Sequence, residues 1–323
     1  MHASAEAAYL ELITGLKHSR WIFLAGALVA LSACADLGLG LGDGEPVAAD
    51  DALNPLRLAL APSETVADAD RAIESRDYQR AYDILRQHLV LDPTNEAAKI
   101  SLARTYLGRN QGLNAQTILD SLSDETKEIP RVQMLRGLAL LVQGQRAEAT
   151  VQLESALASD PSLWKSANGL GLIHDFDKRW DEAEASYKRA LETKSDSAVV
   201  HNNLGYSYLL QGRVDEAATA FTTSLSYEPN RIVVRSNLRL ALAAKGRYTD
   251  AIAGTERSGL PQVLNNIGYV AMLRGDYESA DVFLNRAIDE SPVFYDTAEQ
   301  NLERLKTLVD KPIGERRLRS IGN

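Results

Sequence analysis

The sequence predicts an all-α fold: a superhelical solenoid of about seven helix-turn-helix repeats closed by a C-terminal capping helix. Three observations carry that expectation. Ala81, Ala115, Ala149, Ala183, Ala217 and Ala251 recur at a constant step of thirty-four positions without a slip. Gly137, Gly171 and Gly205 keep the same step, with Ala103 one step earlier, and Pro93, Pro161 and Pro229 lie two steps apart. Composition agrees, since 45% of the chain is hydrophobic but only 6% aromatic. That balance suits closely packed helices with small side chains at their contacts.

The chain does not begin with a repeat. From Trp21 to Ala33 it carries no charge, and Lys17 and Arg20 precede that run. A helix crossing a hydrocarbon core of ~30 Å needs about 20 apolar residues, whereas the apolar region of a secretory signal runs roughly 7–15. The uncharged run is too short for the first and fits the second. Residues 1–33 are therefore expected to be a signal peptide, with a long first region carrying Glu6 and Glu11. The run ends in Leu31-Ser32-Ala33-Cys34, which resembles a bacterial lipobox. The resemblance implies that the Cys34 thiol is diacylated, the bond before it cut, and the new amine acylated. Cys34 is the only cysteine, so an intrachain disulfide framework is excluded.

Lipidation would anchor the chain to a membrane without spanning it. Each buried methylene contributes about 0.8 kcal/mol, so one chain holds marginally and three hold firmly. In lipoprotein families an Asp directly after the cysteine favours the inner membrane. Here Ala35 stands there and Asp36 follows, so the resemblance implies the outer membrane, facing the periplasm. Residues 34–61 combine glycines, prolines and acids without a sustained period and read as the lipidated cysteine and a flexible tether. The charges of residues 1–33 cancel, so the remainder keeps the formal −9. That acidity argues against a nucleic-acid partner, which would want a basic face.

The repeats carry more than a period. In residues 198–231, Leu204, Gly205, Tyr208, Ala217, Phe221 and Pro229 fall at the offsets of the tetratricopeptide signature. Small residues let the two helices of a hairpin approach closely. Aromatic and leucine side chains fill the seams, and proline ends the second helix because it lacks a donor and clashes with the preceding turn. The resemblance covers residues 62–294, in copies 62–95, 96–129, 130–163, 164–197, 198–231, 232–260 and 261–294. The sixth copy is short, because the interval from Gly205 to Gly268 falls five positions short of two full periods. Its "GTERSGLP", Gly254 to Pro261, is expected to cut the second helix and form a loop. Residues 295–310, with Leu302, Leu305 and Leu308 on one face, are expected to be the capping helix, and 311–323 a basic tail.

Chemistry is sparse. His174, Asp175 and Asp177 cluster in "GLIHDFD", but His174 occupies a slot where the repeat places Tyr, and His201 one where it places Trp, so both read as packing residues. There is no His-Glu-x-x-His pair, Gly-rich phosphate loop or Gly-x-Ser-x-Gly elbow. The expectation is no enzyme, no metal and no cofactor. In the tetratricopeptide fold the first helices line the concave face, and there the sequence places Asn168, Asn202, Asn203, Asn237, Asn265 and Asn266. An amide offers two donors and an acceptor, suited to gripping the backbone of an extended peptide. Tyr206, Tyr269 and Met272 would add apolar contact. Val199 and Val233 occupy slots where lysine or arginine would clamp an acidic peptide terminus, so such a tail is not the expected ligand.

Two runs narrow the family. "VRSNLRLALAAKGRYTDAIA" and "LNNIGYVAMLRGDYESADVFLNRAIDESPVFYDTAEQNLERL" resemble the C-terminal half of TadD-type tetratricopeptide lipoproteins of the tight-adherence (Flp, type IVb) pilus machinery. The resemblance implies a role in pilus assembly, as a pilotin that helps an outer-membrane secretin localise or multimerise. A general periplasmic scaffold that recruits peptidoglycan enzymes, and an accessory subunit of an enzyme, are the alternatives that the sequence leaves open.

Overall fold

The structure, a computed structural model, describes residues 64–293 and 295–309. Residues 1–33, expected to be a signal peptide, residues 34–61, expected to be the lipidated cysteine and tether, and the basic residues 311–323 lie outside the described residues. Within them the chain is helical throughout, with no strand. The helices are α1 (Val66–Glu74), α2 (Tyr78–Leu91), α3 (Glu96–Gly108), α4 (Gly112–Asp120), α5 (Asp124–Lys127), α6 (Pro130–Val142), α7 (Arg146–Ser159) and α8 (Trp164–Phe176). There follow α9 (Trp180–Thr193), α10 (Ala198–Leu210), α11 (Val214–Tyr227), α12 (Ile232–Ala244), α13 (Tyr248–Ile252), α14 (Leu260–Arg274), α15 (Tyr277–Asp289) and α16 (Asp296–Val309). They fall into two compact units that meet in sequence between Asn203 and Leu204, inside α10. No helix among the described residues is long and apolar enough to cross a membrane.

In the first unit the helices pair as hairpins, α1 with α2, α3 with α4, α6 with α7 and α8 with α9, and each first helix also packs on its neighbours. Side chains set several starts. Thr65 and Asp68 form a reciprocal capping box before α1, and Asp77 and Asn95 accept backbone donors of α2 and α3. Such caps satisfy N–H groups that no helical carbonyl reaches. The turn inside each hairpin has its own rule. Arg76, Asn110, Gly144, Lys178, Gly212 and Gly246 all have positive φ, between 58° and 77°, and they keep the same step as the alanines. Gly275, with φ 80°, follows Gly246 at an interval shortened by five positions. The left-handed turn is thus part of the repeat, met by glycine where the sequence allows.

The recurring alanines occupy the tightest places. Ala81, Ala115, Ala149, Ala183, Ala217, Ala251 and Ala280 are all 0% exposed. At Gly171 an added Cβ would sit 2.6 Å from the Tyr187 ring, and at Gly205 2.8 Å from Phe221. Those glycines are fixed by close helix approach, since a methyl group there has no room.

The second unit continues with α11 to α16. Helix α13 has five residues, and it lies where the sequence lacks five. The loop after it is shorter than the sequence suggested. A 3-10 turn occupies Arg257–Gly259, and α14 starts at Leu260 with Pro261 in its first turn. Proline fits there because that position has no hydrogen-bond acceptor within the helix to lose. Helix α16 buries Leu302 and Leu305 in a cluster with Tyr269, Met272 and Leu284, and it buries Ala298 beside Leu264 and Ala287.

Candidate functional site

The first helices of the hairpins carry the residues that the sequence singled out, and each unit shows where those residues go. In the first unit Asn168, Asn202 and Asn203 are all 0% exposed. Asn203 Nδ2 donates to Asn168 Oδ1 at 3.0 Å, and Asn202 Nδ2 donates to Asn203 Oδ1 at 3.3 Å. In the second unit the same pattern recurs toward the chain's other end. Asn301 Nδ2 of α16 donates to Asn265 Oδ1 at 2.9 Å, and Asn265 Nδ2 donates to Asn266 Oδ1 at 3.4 Å. Asn265 and Asn237 are buried, while Asn266 is half-buried.

The expectation of an open lining of amides is therefore corrected. Successive first helices stack so closely that an amide on one meets an amide on the next, and burial requires the pairing because an orphaned polar group is costly. Tyr269 and Met272 are corrected likewise. Both are buried under α16, whose Arg304 lies 6.0 Å over the Tyr269 ring. Of the expected set, Tyr206 and Asn266 remain partly reachable, both in the second unit.

Sequence reasoning missed a different set. Arg131 and Lys165 are the second residues of α6 and α8, one period apart. They hold the same offset as Val199 and Val233, so the signal lies in the two copies just upstream. Arg131 is exposed, whereas Lys165 is half-buried. Burial is the main cause that lowers the Lys165 ammonium to about 8, and the Arg104 and Arg131 guanidinium groups add to it. Among the described residues Lys165 makes no side-chain hydrogen bond or ion pair, and its Nζ lies 5.5 Å over the Trp164 ring. Arg104 is held by Asp70 of α1, which also accepts from Ser101 Oγ at 2.7 Å.

The "GLIHDFD" cluster resolves into packing. Tyr187 takes the seam position that Phe221 takes one copy later, and its buried hydroxyl needs an acceptor. Asp175 supplies it at 2.8 Å. Desolvation is the larger cause that pushes this phenol well above its usual range, and the buried carboxylate adds to it. Asp177 faces Arg179 and Arg146 at 3.5 and 3.8 Å. Burial lowers the His174 imidazole, with Arg179 acting in the same sense, and His201 Nε2 lies 2.9 Å from the Ser195 carbonyl. Among the described residues no group of three His, Cys, Asp or Glu side chains is placed to hold a metal.

Family models described as Tetratricopeptide repeat match residues 72–139, then 134–198, 178–225 and 202–262, then 261–294. Together they span more than half of the chain. The chain belongs to the tetratricopeptide-repeat family. Its hairpins, buried alanines and close glycine contacts are that family's packing in this sequence. No curated protein matches the chain. Among solved structures this tetratricopeptide-repeat chain is similar to the APC/C hetero-tetramer Cut9-Hcn1, at 15% identity and a TM-score of 0.55 over 80% of the chain. It is also similar to a monomeric mutant of IFIT1 solved with m7Gppp-AAAA, at 17% identity and a TM-score of 0.57 over 80% of the chain. The chain spans 52% and 64% of those two proteins. At such identities the likeness shows the fold alone. Tetratricopeptide repeats generally mediate contacts between proteins, and a protein–protein interaction module is the coarse function of this chain.

Proposed function

We propose that this protein-interaction module is held on the periplasmic face of the outer membrane by lipid on Cys34. There it works in assembly of the tight-adherence (Flp) pilus machinery as a pilotin for the secretin. The observation that carries the anchor is the uncharged run from Trp21 that ends in Leu31-Ser32-Ala33-Cys34. The pilus reading is supported by the shortened sixth repeat and by the "LNNIGYVAMLRGDY" run, which is most of α14 and the turn after it. A repeat array fits a pilotin because stacked repeats present extended surfaces to a partner segment without needing catalytic chemistry.

Replacing Cys34→Ser tests the anchor. The variant is expected to lose palmitate label and leave the outer-membrane fraction while its circular dichroism stays helical. A labelled, membrane-bound variant overturns the anchor and with it the pilotin reading.

A further inference from the structure

We propose that the short sixth repeat leaves a docking site for one amphipathic helix of the partner protein, which takes the place of the missing turns of α13 and brings a carboxylate to Arg239. The proposal rests on the reading of the chain as a protein-binding module. It names a surface and a partner chemistry within the second unit.

The first argument is a broken series. Gly205 and Gly268 lie against second helices, where an added Cβ would meet Phe221 and Leu284, each at 2.8 Å. Their counterpart in the sixth repeat, thirty-four positions after Gly205, is Arg239. A guanidinium fits where a methyl does not because the facing helix has ended. Helix α13 has 5 residues, against 14 in α11 and 13 in α15. At 1.5 Å per residue, about 12 Å of helix is absent. Ala253 leaves the helix with ψ 137°, and Gly254 follows with φ 66°. Thr255, the counterpart of Phe221, therefore lies past the end of α13.

The second argument is what stays uncovered. The 3-10 turn Arg257–Gly259, which takes up the chain after α13, buries none of its residues. Ile252, Leu260 and Phe283, from the helices bordering the gap, are only partly buried at the edge of the core cluster. At the junction of α11 and α12, Tyr227 and Ile232 are 47% and 58% exposed.

The third argument is charge. Arg235 and Arg239 stand one turn apart on α12, a spacing at which like charges repel. Among the described residues no carboxylate pairs with either, and Arg235 Nη2 donates to the Pro229 carbonyl at 3.0 Å. Burial, with Arg235 acting in the same sense, lowers the Arg239 guanidinium from its usual range. One helix with a carboxylate beside an apolar stripe answers both the charge and the uncovered side chains, and helices dock in grooves in this way.

The test uses the full chain in detergent and hydrocarbon-stapled helical peptides. The probe is the α11 sequence Val214–Tyr227 carrying Phe221→Glu, and the control carries Phe221→Gln. By fluorescence anisotropy the parent is expected to bind the glutamate peptide about tenfold more tightly than the glutamine peptide, as a charged hydrogen bond gives. Arg239→Gln should lose that preference while its circular dichroism stays helical. In a filled variant, residues 219–230 replace residues 253–259 and Arg239→Gly makes room. It should rebuild α13 and bind neither peptide; Arg239→Gln decides alone where the filled variant does not fold. No binding by the parent, equal binding of the two peptides, or a preference that survives in Arg239→Gln overturns the site. Capture of secretin from envelopes by Arg239→Gln as well as by the parent overturns this site while leaving the pilotin reading standing. A parent that prefers the glutamate peptide yet captures no secretin overturns the pilotin reading and supports the site.

Discussion

Asn203 donates its side-chain amide to Asn168, and Asn301 repeats the contact toward Asn265, each reaching back about one repeat along the chain. Each pair joins one first helix to the next. Helix α16 therefore does more than cover an end: it presents Asn301 as a further repeat would. These amides set the register between hairpins, and their burial makes them costly to disturb.

Asn203→Ala is expected to destabilise the protein by about 1–3 kcal/mol, the range for stranding a buried hydrogen-bonding group. Urea unfolding measures it, and Asn301→Ala should act in the same direction but less, since Asn301 is only half-buried. A variant that unfolds at the parent's midpoint shows that the Asn203 amide is not holding the register. Replacing Asn202, Asn203, Asn265 and Asn266 together is a stability experiment, not a clean test of binding.

The hairpin turns offer the opposite sign. Lys178 has φ 60°, a left-handed conformation that costs an L-residue roughly 1–2 kcal/mol, which glycine avoids. Three of its counterparts are glycine already: Gly144, Gly212 and Gly246. Lys178→Gly should raise stability by about 1 kcal/mol, less the added freedom of glycine in the unfolded chain. A fall in the unfolding midpoint would contradict the turn geometry.

How much of this was legible in the sequence depends on distance along the chain. The constant alanine step, and the need for glycine opposite Tyr187 and Phe221, are local periodic facts, and packing inside a hairpin follows from them. The left-handed turn at Arg76, Asn110 and Lys178 was hidden because a non-glycine residue does not announce positive φ. The asparagine offsets identified the right helices. They did not say whether the next first helix would cover that face. Tyr269 and Met272 were misread for the same reason: the spacing of Leu302, Leu305 and Leu308 shows that α16 has an apolar face but not where it docks. Lys165 stood out less because its offset is not basic throughout: it holds Arg131 and Lys165 and then Val199 and Val233, and a lysine in sequence does not show that its ammonium will be desolvated.

Protonation gives a further check. The Lys165 ammonium titrates at about 8 in the folded chain, against about 10.4 for an exposed lysine. Between those values the unfolded chain holds a proton that the folded chain has released, so stability rises with pH across that window. Below it the proton is bound in both states and the penalty is fully present. Urea midpoints from about pH 7 to about pH 10 should therefore rise for the parent relative to Lys165→Met. Parallel curves would show that Lys165 is not desolvated.

The central claim is that this chain is a lipid-anchored protein-binding array serving a secretin. Affinity capture of the lipidated protein from cross-linked envelopes, with bound proteins quantified by mass spectrometry, tests it most directly. The account predicts a pilus secretin enriched with the parent and lost with the Cys34→Ser variant. Envelopes that yield peptidoglycan enzymes and no secretin would contradict it.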